Sequence, residues 1–325
     1  MKVVILGGHG FLGLKLAQRL LQKGCLMGRD NNSYTIDGLI LADQVPPPTP
    51  LEGVTSMIGD IADAGFLKQA IGEDVTSIFH LAAVVSAAAE ADFDLGMRVN
   101  LDATRNILER CRSLATPPRL VFSSSLAVFG NAPAMVQDDT PALPLSSYGS
   151  QKVIGEYLTC EYTRKGFVDV RSIRLPTITI RPGKPNKAAS SFISSILREP
   201  LQGLEAVCPV RRDMAVWVQS PRLVIENLIH AHDTPENAWA DGPRILNLPG
   251  LSVSVDEMVA ALQRAGGDTS LIRWQCDSDI ERLVGSWPGA MNAARALQMG
   301  FKGDENIDDI IKDYLDFNVN SGGSQ

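Results

Sequence analysis

A glycine-rich turn near the start of the chain constrains the fold more than any other feature. It has the pattern Gly7-x-x-Gly10-x-x-Gly13 and directly follows Lys2–Leu6, an apolar run typical of a strand buried on both faces. Phe11–Lys23 comes next with leucines at helical spacing, so the turn joins a strand to an amphipathic helix. A strand, a glycine turn and a helix in this order are typical of a dinucleotide-binding unit.

Each glycine of the turn has a separate physical role. Gly7 permits the tight turn, Gly10 lets a pyrophosphate approach the backbone, and Gly13 lets the helix pack close to the strand. His9, inside the turn, is interpreted as a permissive position, with a buried or phosphate-adjacent role as the alternative. Asp43, at the end of the second apolar run, is expected to bind the ribose hydroxyls and to repel a 2′-phosphate. The carboxylate therefore favours NAD over NADP.

Apolar runs and helical stretches alternate through the first half of the chain. Further strands are expected at 39–42, 55–58, 77–83 and 119–123, with helices between them. This alternation predicts an α/β protein with a doubly wound parallel sheet, the Rossmann fold. Residues 25–38 form a polar insertion, which explains why Asp43 lies further from the glycine turn than is usual.

The second half is less regular and predicts a smaller, discontinuous α+β domain that binds the substrate. We expect the NAD-binding domain over 1–175 plus about 221–250, and the substrate domain over 176–220 and 251–318. The small polar residues 319–325 predict a flexible tail.

Composition and charge exclude several classes of protein. The chain has 325 residues with 30 Lys and Arg against 37 Asp and Glu, and its net charge of −7 argues against nucleic-acid binding. No apolar run approaches the roughly 18 residues that a membrane helix needs. The five cysteines are scattered without C-x-x-C spacing, which predicts reduced thiols and neither a metal site nor disulfides. We therefore expect a cytoplasmic protein that binds no metal, nucleic acid or membrane.

A tyrosine and a lysine four residues apart indicate the chemistry. On a helix, Tyr148 and Lys152 share one face, and the ammonium lowers the pKa of the phenol so that it can act as a base. Serines end the preceding apolar strand, and Ser125, with Ser124 as the second choice, is expected to hydrogen-bond the reacting oxygen. Together these residues predict removal of a hydroxyl proton as hydride leaves the neighbouring carbon.

With these motifs in place, the sequence resembles the extended short-chain dehydrogenase/reductase family, in its epimerase/dehydratase branch. The motifs follow the family's order over most of residues 1–180. They are the glycine turn, Asp60-Ile61, Leu81-Ala82-Ala83, Asn100, Ser123-Ser124-Ser125, Tyr148-x-x-x-Lys152 and Arg174-Leu175-Pro176. Phe129 and Gln151 depart from the family's more usual Tyr and Ser.

The resemblance implies a cofactor site, a catalytic triad of Ser125, Tyr148 and Lys152, and a homodimer joined through a four-helix bundle. It implies that Asp60 and Ile61 touch the adenine, and that Pro176 and Ile178 flank the nicotinamide. The expected NAD contacts are Gly7, Gly10, Phe11, Leu12, Gly13, Asp43, Asp60, Ile61, Leu81, Ala82, Ala83, Asn100, Tyr148, Lys152, Pro176 and Ile178.

Two later stretches, 174–192 and 216–221, resemble a subgroup of this family that oxidises short sugar acids. The resemblance implies NAD-dependent oxidation of a C2 hydroxyl, converting D-erythronate to 2-oxo-erythronate. The expected substrate contacts are Ser125, Tyr148, Asn186, Lys187, Ser190 and Ser191, with Lys184, Arg181 or Arg222 for the carboxylate. These cations would equally suit the pyrophosphate of a nucleotide sugar.

Two other functions remain open at this point. A nucleotide-sugar 4-epimerase or dehydratase would keep NAD tightly bound and regenerate it in each cycle. A non-catalytic NAD-sensing protein would need neither Tyr148 nor Lys152, and both are present.

Overall fold

The computed structural model describes residues 1–183, 188–240 and 242–320, and the chain divides into two compact units. The first unit contains residues 1–125, 150–174 and 225–246, and the second contains 126–149, 175–224 and 247–325. Most of the predicted tail, residues 321–325, lies outside the described residues.

The strands and helices are numbered in chain order. The strands are β1 (Lys2–Leu6), β2 (Cys25–Met27), β3 (Ser33–Thr35), β4 (Gly38–Asp43), β5 (Thr55–Ile58), β6 (Val75–His80), β7 (Arg119–Ser125), β8 (Asp169–Leu175), β9 (Thr177–Ile178), β10 (Ala206–Cys208), β11 (Ala215–Gln219), β12 (Ile245–Asn247), β13 (Leu251–Ser254) and β14 (Ile272–Trp274). The helices are α1 (Phe11–Lys23), α2 (Ala64–Ala70), α3 (Ser86–Ala91), α4 (Phe93–Gly96), α5 (Ala103–Arg112), α6 (Ser147–Arg164), α7 (Ser191–Leu201), α8 (Pro221–Asp233), α9 (Val255–Arg264), α10 (Ser278–Gly285), α11 (Ala294–Gln298) and α12 (Ile307–Asn320). Among the described residues, none of these helices has the length and apolar content needed to cross a bilayer.

The first unit is built on a seven-stranded sheet, with the order β12-β8-β7-β6-β1-β4-β5 among the described residues. β1 pairs in parallel with β4 on one side and with β6 on the other, and the pairs β4–β5 and β6–β7 are also parallel. Because the strand order reverses at β1, a crevice is expected at the carboxyl ends of β1 and β6. This order confirms the predicted Rossmann fold.

The two faces of this sheet are covered by different helices. Val4 and Leu6 of β1 belong to a buried cluster with residues of α2 and α5, whereas the alternating Val3 and Ile5 are buried on the opposite face. α1 packs against β1 and β4. Its Arg19 Nε lies 2.5 Å from Oε1 of Glu226 in α8. Helices on both faces make the sheet doubly wound, as predicted.

A buried ion network stabilises one side of the sheet. Asp169, at the start of β8, accepts hydrogen bonds from Arg119 Nε at 2.9 Å and Arg171 Nη2 at 3.3 Å. It also pairs with Arg244. Burial opposes ionisation of Asp169, but the charges of these arginines keep the pKa of its carboxyl below the usual range.

The polar insertion at 25–38 contains the β2–β3 hairpin, which the sequence pattern did not predict. Met27 N donates to Asp233 Oδ1 at 2.9 Å, and Lys23 Nζ lies 2.9 Å from Asp233 Oδ2. The hairpin is therefore held to the end of α8 by one carboxylate. Asp233 lies more than 190 positions from the hairpin in sequence, so a local pattern cannot predict this contact.

The second unit contains small sheets and a helical layer. β11 pairs with β13 in antiparallel and with β9 in parallel, and β10 pairs with β14 in parallel. Ile196 of α7, Met258 of α9 and Ile310 of α12 belong to its buried apolar cluster. Mixed pairing beside a layer of helices is the α+β organisation that the sequence predicts.

The compact units differ from the predicted domains at residues 126–149. These residues are predicted to belong to the NAD-binding domain, but they cluster with the second unit. Val136 forms an isolated bridge with Met291, and Arg295 N donates to Asp138 Oδ2 at 2.9 Å. These contacts join residues far apart in the sequence, and they draw the segment to the C-terminal part of the chain.

Candidate active site

The turn after β1 is shaped as a cradle that side chains would fill. Gly7 has a φ of +82°, and a Cβ atom there would lie 2.7 Å from the backbone nitrogen of Ala82. A Cβ atom at Gly13 would lie 2.3 Å from the Gly7 carbonyl oxygen. A Cβ atom at Gly10 would have the same carbonyl oxygen as its nearest neighbour, at 3.3 Å. The first and last glycines therefore permit close packing, and the middle one leaves room for a ligand.

The N-terminus of α1 opens directly beyond this cradle. Gly10 is the N-cap and supplies no side-chain hydrogen bond, and the first turn carries no acidic side chain. The first backbone N–H groups of the helix, including those of Phe11 and Leu12, therefore have no side-chain cap. Such groups bind phosphates well. The turn and the helix end together fit the pyrophosphate of a dinucleotide.

Asp43 is fixed at the carboxyl end of β4, where a ribose is expected. His9 N donates to Asp43 Oδ2 at 3.1 Å, and Gln44 N donates to Oδ1 at 2.8 Å. Of the two interpretations of His9, the structure favours the buried role over the permissive one, because the side chain is 4 % exposed and its ring nitrogens bond Val45 O at 2.5 Å and Ser56 Oγ at 2.8 Å. His9 thus joins the glycine turn to β5 and to the loop after β4, a task that only the tertiary contacts reveal.

Asp60 and Ile61, the predicted adenine contacts, follow β5 with different exposure. Asp60 Oδ1 accepts from Ala62 N at 2.9 Å, and the carboxylate pairs with Arg98. Burial raises the pKa of Asp60, but these partners outweigh it and hold the pKa below the usual range. Ile61 is only 3 % exposed and belongs to the core cluster of the first unit. Contact of either side chain with adenine stays a prediction.

The loop after β6 is held in place by Asn100. Leu81 N continues the ladder by donating to Leu6 O at 2.8 Å, and Leu81, Ala82 and Ala83 are all partly accessible. Asn100 Oδ1 accepts from Val84 N at 2.8 Å, and its Nδ2 donates to Val84 O at 3.0 Å. The side chain of Asn100 is 1 % exposed, so it shapes this loop from within the first unit. Contact of Asn100 with the cofactor stays a prediction.

The departure from the family pattern at Gln151 has a structural explanation. Asn100 Nδ2 also donates to Gln151 Oε1 at 2.7 Å, and Gln151 is buried. A Cβ atom at Gly96 would lie 2.5 Å from Gln151 Nε2, so that glycine makes room for the longer side chain. The glutamine therefore packs inside the first unit and leaves the catalytic face of α6 to other residues.

The serines at the end of β7 have different partners. Ser123 Oγ donates to His80 O at 2.9 Å, and Ser124 Oγ donates to Glu156 Oε1 at 2.6 Å. Both of these serines are buried, whereas Ser125 at the end of the strand is partly exposed. The internal roles of the first two hydroxyls favour Ser125 as the one that reaches a substrate.

Tyr148 and Lys152 both lie in α6, four residues apart and therefore on one helix face. Tyr148 is partly exposed, and Lys152 is 2 % exposed with its Nζ donating to Ser123 O at 2.7 Å. Burial lowers the pKa of Lys152 to about 7, against the opposing charge of Glu156. Neighbouring charge therefore decides whether this lysine is protonated at neutral pH.

Glu156 is a residue of this site that the sequence analysis missed. Besides Ser124 it binds Arg174, whose Nε and Nη2 lie 2.8 and 2.7 Å from its two carboxylate oxygens. The carboxylate thus joins the end of β7, the end of β8 and the helix that carries Lys152. The repeated four-residue spacing of Tyr148, Lys152 and Glu156 could have indicated this, because it places all three on one face.

The second unit contains the residues predicted to meet the nicotinamide and the carboxylate. Pro176 and Ile178 are both buried, Ile178 within β9. Arg181 follows this strand, and its electrostatic neighbours include Tyr148. Arg222 is exposed, and its Nε lies 2.7 Å from Asp313. Of the proposed carboxylate ligands, the structure brings Arg181 near the predicted base.

The remaining substrate candidates are divided between a helix start and an undescribed segment. Lys184, Asn186 and Lys187 lie outside the described residues. Ser190 is the N-cap of α7, and Ser191 begins that helix. Ser191 lines a cavity of about 670 Å³ with Phe192 and other residues of α7, β10 and the start of α10. Contact of these serines with a substrate stays a prediction.

Comparisons with known proteins agree with this arrangement. Residues 3–218 match the model of the NAD dependent epimerase/dehydratase family. The D-erythronate dehydrogenase of Cupriavidus necator is 49 % identical over 320 residues, which cover 97 % of this chain and 98 % of that protein. The D-erythronate dehydrogenase of Haemophilus influenzae is 45 % identical over 327 residues, which cover 98 % and 100 %.

A solved structure gives the same result for the fold. The nucleoside-diphosphate-sugar epimerase from Agrobacterium tumefaciens superposes with a TM-score of 0.90 at 39 % identity, covering 100 % of this chain and 95 % of that one. The dehydrogenase relatives, the family model and the dinucleotide cradle together identify an oxidoreductase that acts on CH–OH groups with a nicotinamide cofactor. The match to the family model over most of the chain establishes that this protein belongs to the NAD dependent epimerase/dehydratase family.

Proposed function

We propose that this protein oxidises the C2 hydroxyl of a short sugar acid, D-erythronate to 2-oxo-erythronate, with NAD rather than NADP. The observation that carries the proposal is the near-full-length identity of 49 % to a D-erythronate dehydrogenase, in a chain that retains Ser125, Tyr148 and Lys152. The carboxylate of Asp43 at the end of β4 supports NAD, because a 2′-phosphate beside it would be repelled.

In the proposed reaction the protein holds the substrate and moves one proton. When bound, NAD supplies the acceptor for the hydride that leaves C2. Tyr148 in its phenolate form takes the proton of the C2 hydroxyl, so that the O–H and C–H bonds break as the C=O bond forms. Ser125 donates a hydrogen bond to the same oxygen, and the ammonium of Lys152 stabilises the phenolate. Glu156 opposes the loss of charge on this lysine, and Arg174 holds the Glu156 carboxylate in place.

The decisive experiment follows NADH absorbance while NAD is supplied with short aldonates. We expect stoichiometric NADH with D-erythronate, slower reaction with other four-carbon acids and much lower activity with NADP. Absence of NADH with every aldonate would contradict the proposal.

A nucleotide-sugar epimerase is the second candidate, and the 39 % identity to a solved nucleoside-diphosphate-sugar epimerase favours it. It is tested in the same assay by adding UDP-sugars and separating the products. An epimerised sugar nucleotide without net NADH would support this candidate. NAD binding without turnover of any substrate would instead support the sensing role.

We also propose a homodimer in the cytoplasm. Phe93 of α4 and Ile154 and Tyr157 of α6 are large apolar side chains that are exposed in the single chain. Their burial against a second copy would remove apolar surface from water, which supports a helical dimer interface. Light scattering is expected to give twice the chain mass, and Ile154→Glu with Tyr157→Glu is expected to give a monomer. A wild-type monomer at micromolar concentration would contradict the proposal.

A further inference from the structure

Arg181 is held rigidly by its own backbone and by one side-chain nitrogen. Its N–H donates to Ser194 Oγ at 3.1 Å, and its carbonyl accepts from Arg198 Nη1 at 2.5 Å. Its Nε donates to Ile178 O at 3.1 Å. The two contacts with α7 fix the backbone of Arg181, and the contact with Ile178 of β9 orients its guanidinium. The two terminal nitrogens are the other hydrogen-bond donors of the guanidinium.

The charge of Arg181 has no counter-ion among the described residues. Arg198, a near neighbour of like charge, lies 2.5 Å from Glu199, whereas no carboxylate pairs with Arg181 in the described part of the chain. Burial lowers the pKa of Arg181, the charge of Arg198 lowers it further, and Tyr148 opposes the shift. A partly buried guanidinium in this state gains most from an anion that arrives with a ligand.

Tyr148, the predicted base, interacts electrostatically with Arg181. In a 2-hydroxy acid the carboxylate is bonded to the carbon whose hydroxyl loses its proton. A cation that binds the carboxylate must therefore lie close to the base. Arg181 and Tyr148 satisfy this condition within the second unit, since Tyr148 is among the charges that act on Arg181.

We propose that Arg181 binds the carboxylate of the substrate through its two terminal nitrogens and thereby limits the enzyme to 2-hydroxy acids. The proposal deepens the proposed function and rests on it for the identity of the acid. A planar fork of two donors matches a carboxylate in bidentate geometry, which lysine cannot reproduce. Arg222 is less suited because Asp313 already neutralises it at the surface.

The test compares an acid with its uncharged amide in wild type, Arg181→Met and Arg181→Lys. The probes are D-erythronate and D-erythronamide, assayed for NADH formation and for binding to the NADH-saturated protein by calorimetry. For Arg181→Met we expect the KM and Kd of D-erythronate to rise roughly 10- to 100-fold, because a charge-assisted pair is lost. The constants for the amide should change less than about threefold, and NAD affinity should stay unchanged. The KM and Kd of Arg181→Lys for D-erythronate should lie between those of wild type and Arg181→Met.

Arg211→Met is the matched control, because Arg211 is an exposed residue of the second unit paired with Asp213. It is expected to bind both probes as wild type does. Unchanged D-erythronate binding in Arg181→Met would overturn the proposal, as would equal losses for acid and amide. Competition by UDP-glucose that depends on Arg181 would also overturn it, in favour of a pyrophosphate.

Failure of the proposed function gives a different result from failure of this inference. If wild type forms no NADH with any aldonate but binds D-erythronate through Arg181, the reaction is wrong and the carboxylate site stands. If wild type forms NADH from D-erythronate and Arg181→Met does so with the same KM, the reaction stands and the site is wrong. Binding of neither probe by wild type would contradict both.

Discussion

The two units hold their functional side chains in different ways. In the first unit Asp43 and Lys152 receive or donate hydrogen bonds within the unit, from His9 N and to Ser123 O. In the second unit Arg181 is fixed along its backbone, while its charge has no carboxylate partner among the described residues. The proposed cofactor site is therefore preorganised by the protein, whereas the proposed substrate site leaves the charge of Arg181 for a ligand to neutralise. We therefore expect some variants to change the affinity for the cofactor and others to change the affinity for the substrate.

The largest effect is expected from Tyr148→Phe. The change removes the proposed base and retains the ring, so kcat should fall by roughly 10²- to 10⁴-fold. NAD affinity, measured by calorimetry, should change little because most of the predicted cofactor contacts lie in the first unit. Turnover within threefold of wild type would remove Tyr148 from the mechanism.

Asp169→Asn tests how far the sheet of the first unit depends on its buried ion network. An uncompensated cluster of Arg119, Arg171 and Arg244 would remain, so the free energy of unfolding should fall by about 3–5 kcal/mol. Because the pKa of Asp169 is lower in the folded chain, its contribution is present at neutral pH and is lost as pH falls through the folded-state pKa. Urea denaturation at pH 7 and at lower pH measures both effects.

The matched control for this network is Asp308→Asn in the second unit. Asp308 pairs with Arg264 at the surface, 2.7 Å between Oδ2 and Nη2. Loss of an exposed pair should cost less than about 1 kcal/mol. Equal destabilisation by the two variants would show that burial does not distinguish these ion pairs.

Asp43→Ser tests the cofactor side alone. Loss of the carboxylate should raise the KM for NAD roughly 10- to 100-fold and lower the KM for NADP, because ribose hydrogen bonds and repulsion of the 2′-phosphate are both lost. The KM for D-erythronate at saturating NAD should not move. The exposed Asp37 provides a control through Asp37→Ser. Retained preference for NAD in Asp43→Ser would show that other residues discriminate between NAD and NADP.

The smallest effect on catalysis is expected from Glu156→Gln and appears in the pH profile. Glu156 raises the pKa of Lys152 against burial, so removal of its charge should lower that pKa further from about 7. The alkaline limb of kcat/KM should then move to lower pH by roughly one unit, equivalent to about 1.4 kcal/mol. Ser124→Ala removes a hydrogen bond to the same carboxylate without removing charge. A shift in both variants would indicate a structural effect rather than an electrostatic one.

The sequence by itself determined the parts of the molecule that depend on local pattern. The apolar run at Lys2–Leu6, the glycine turn and the amphipathic α1 predicted the Rossmann fold. The four-residue spacing of Tyr148 and Lys152 predicted their common helix face. Each of these features involves residues only a few positions apart. A helical face and a strand–turn–helix junction are set by such neighbours in sequence.

The tertiary structure decided the features that depend on contacts between distant residues. It gave His9 its hydrogen-bond partners, showed that Asn100 holds the loop after β6, and added Glu156 to the surroundings of Lys152. It also brought Arg181 near Tyr148 and joined residues 126–149 to the C-terminal part of the chain. The physical reason is that burial and electrostatic interaction act through space, so they depend on which segments the fold brings together and not on the local pattern of any one segment.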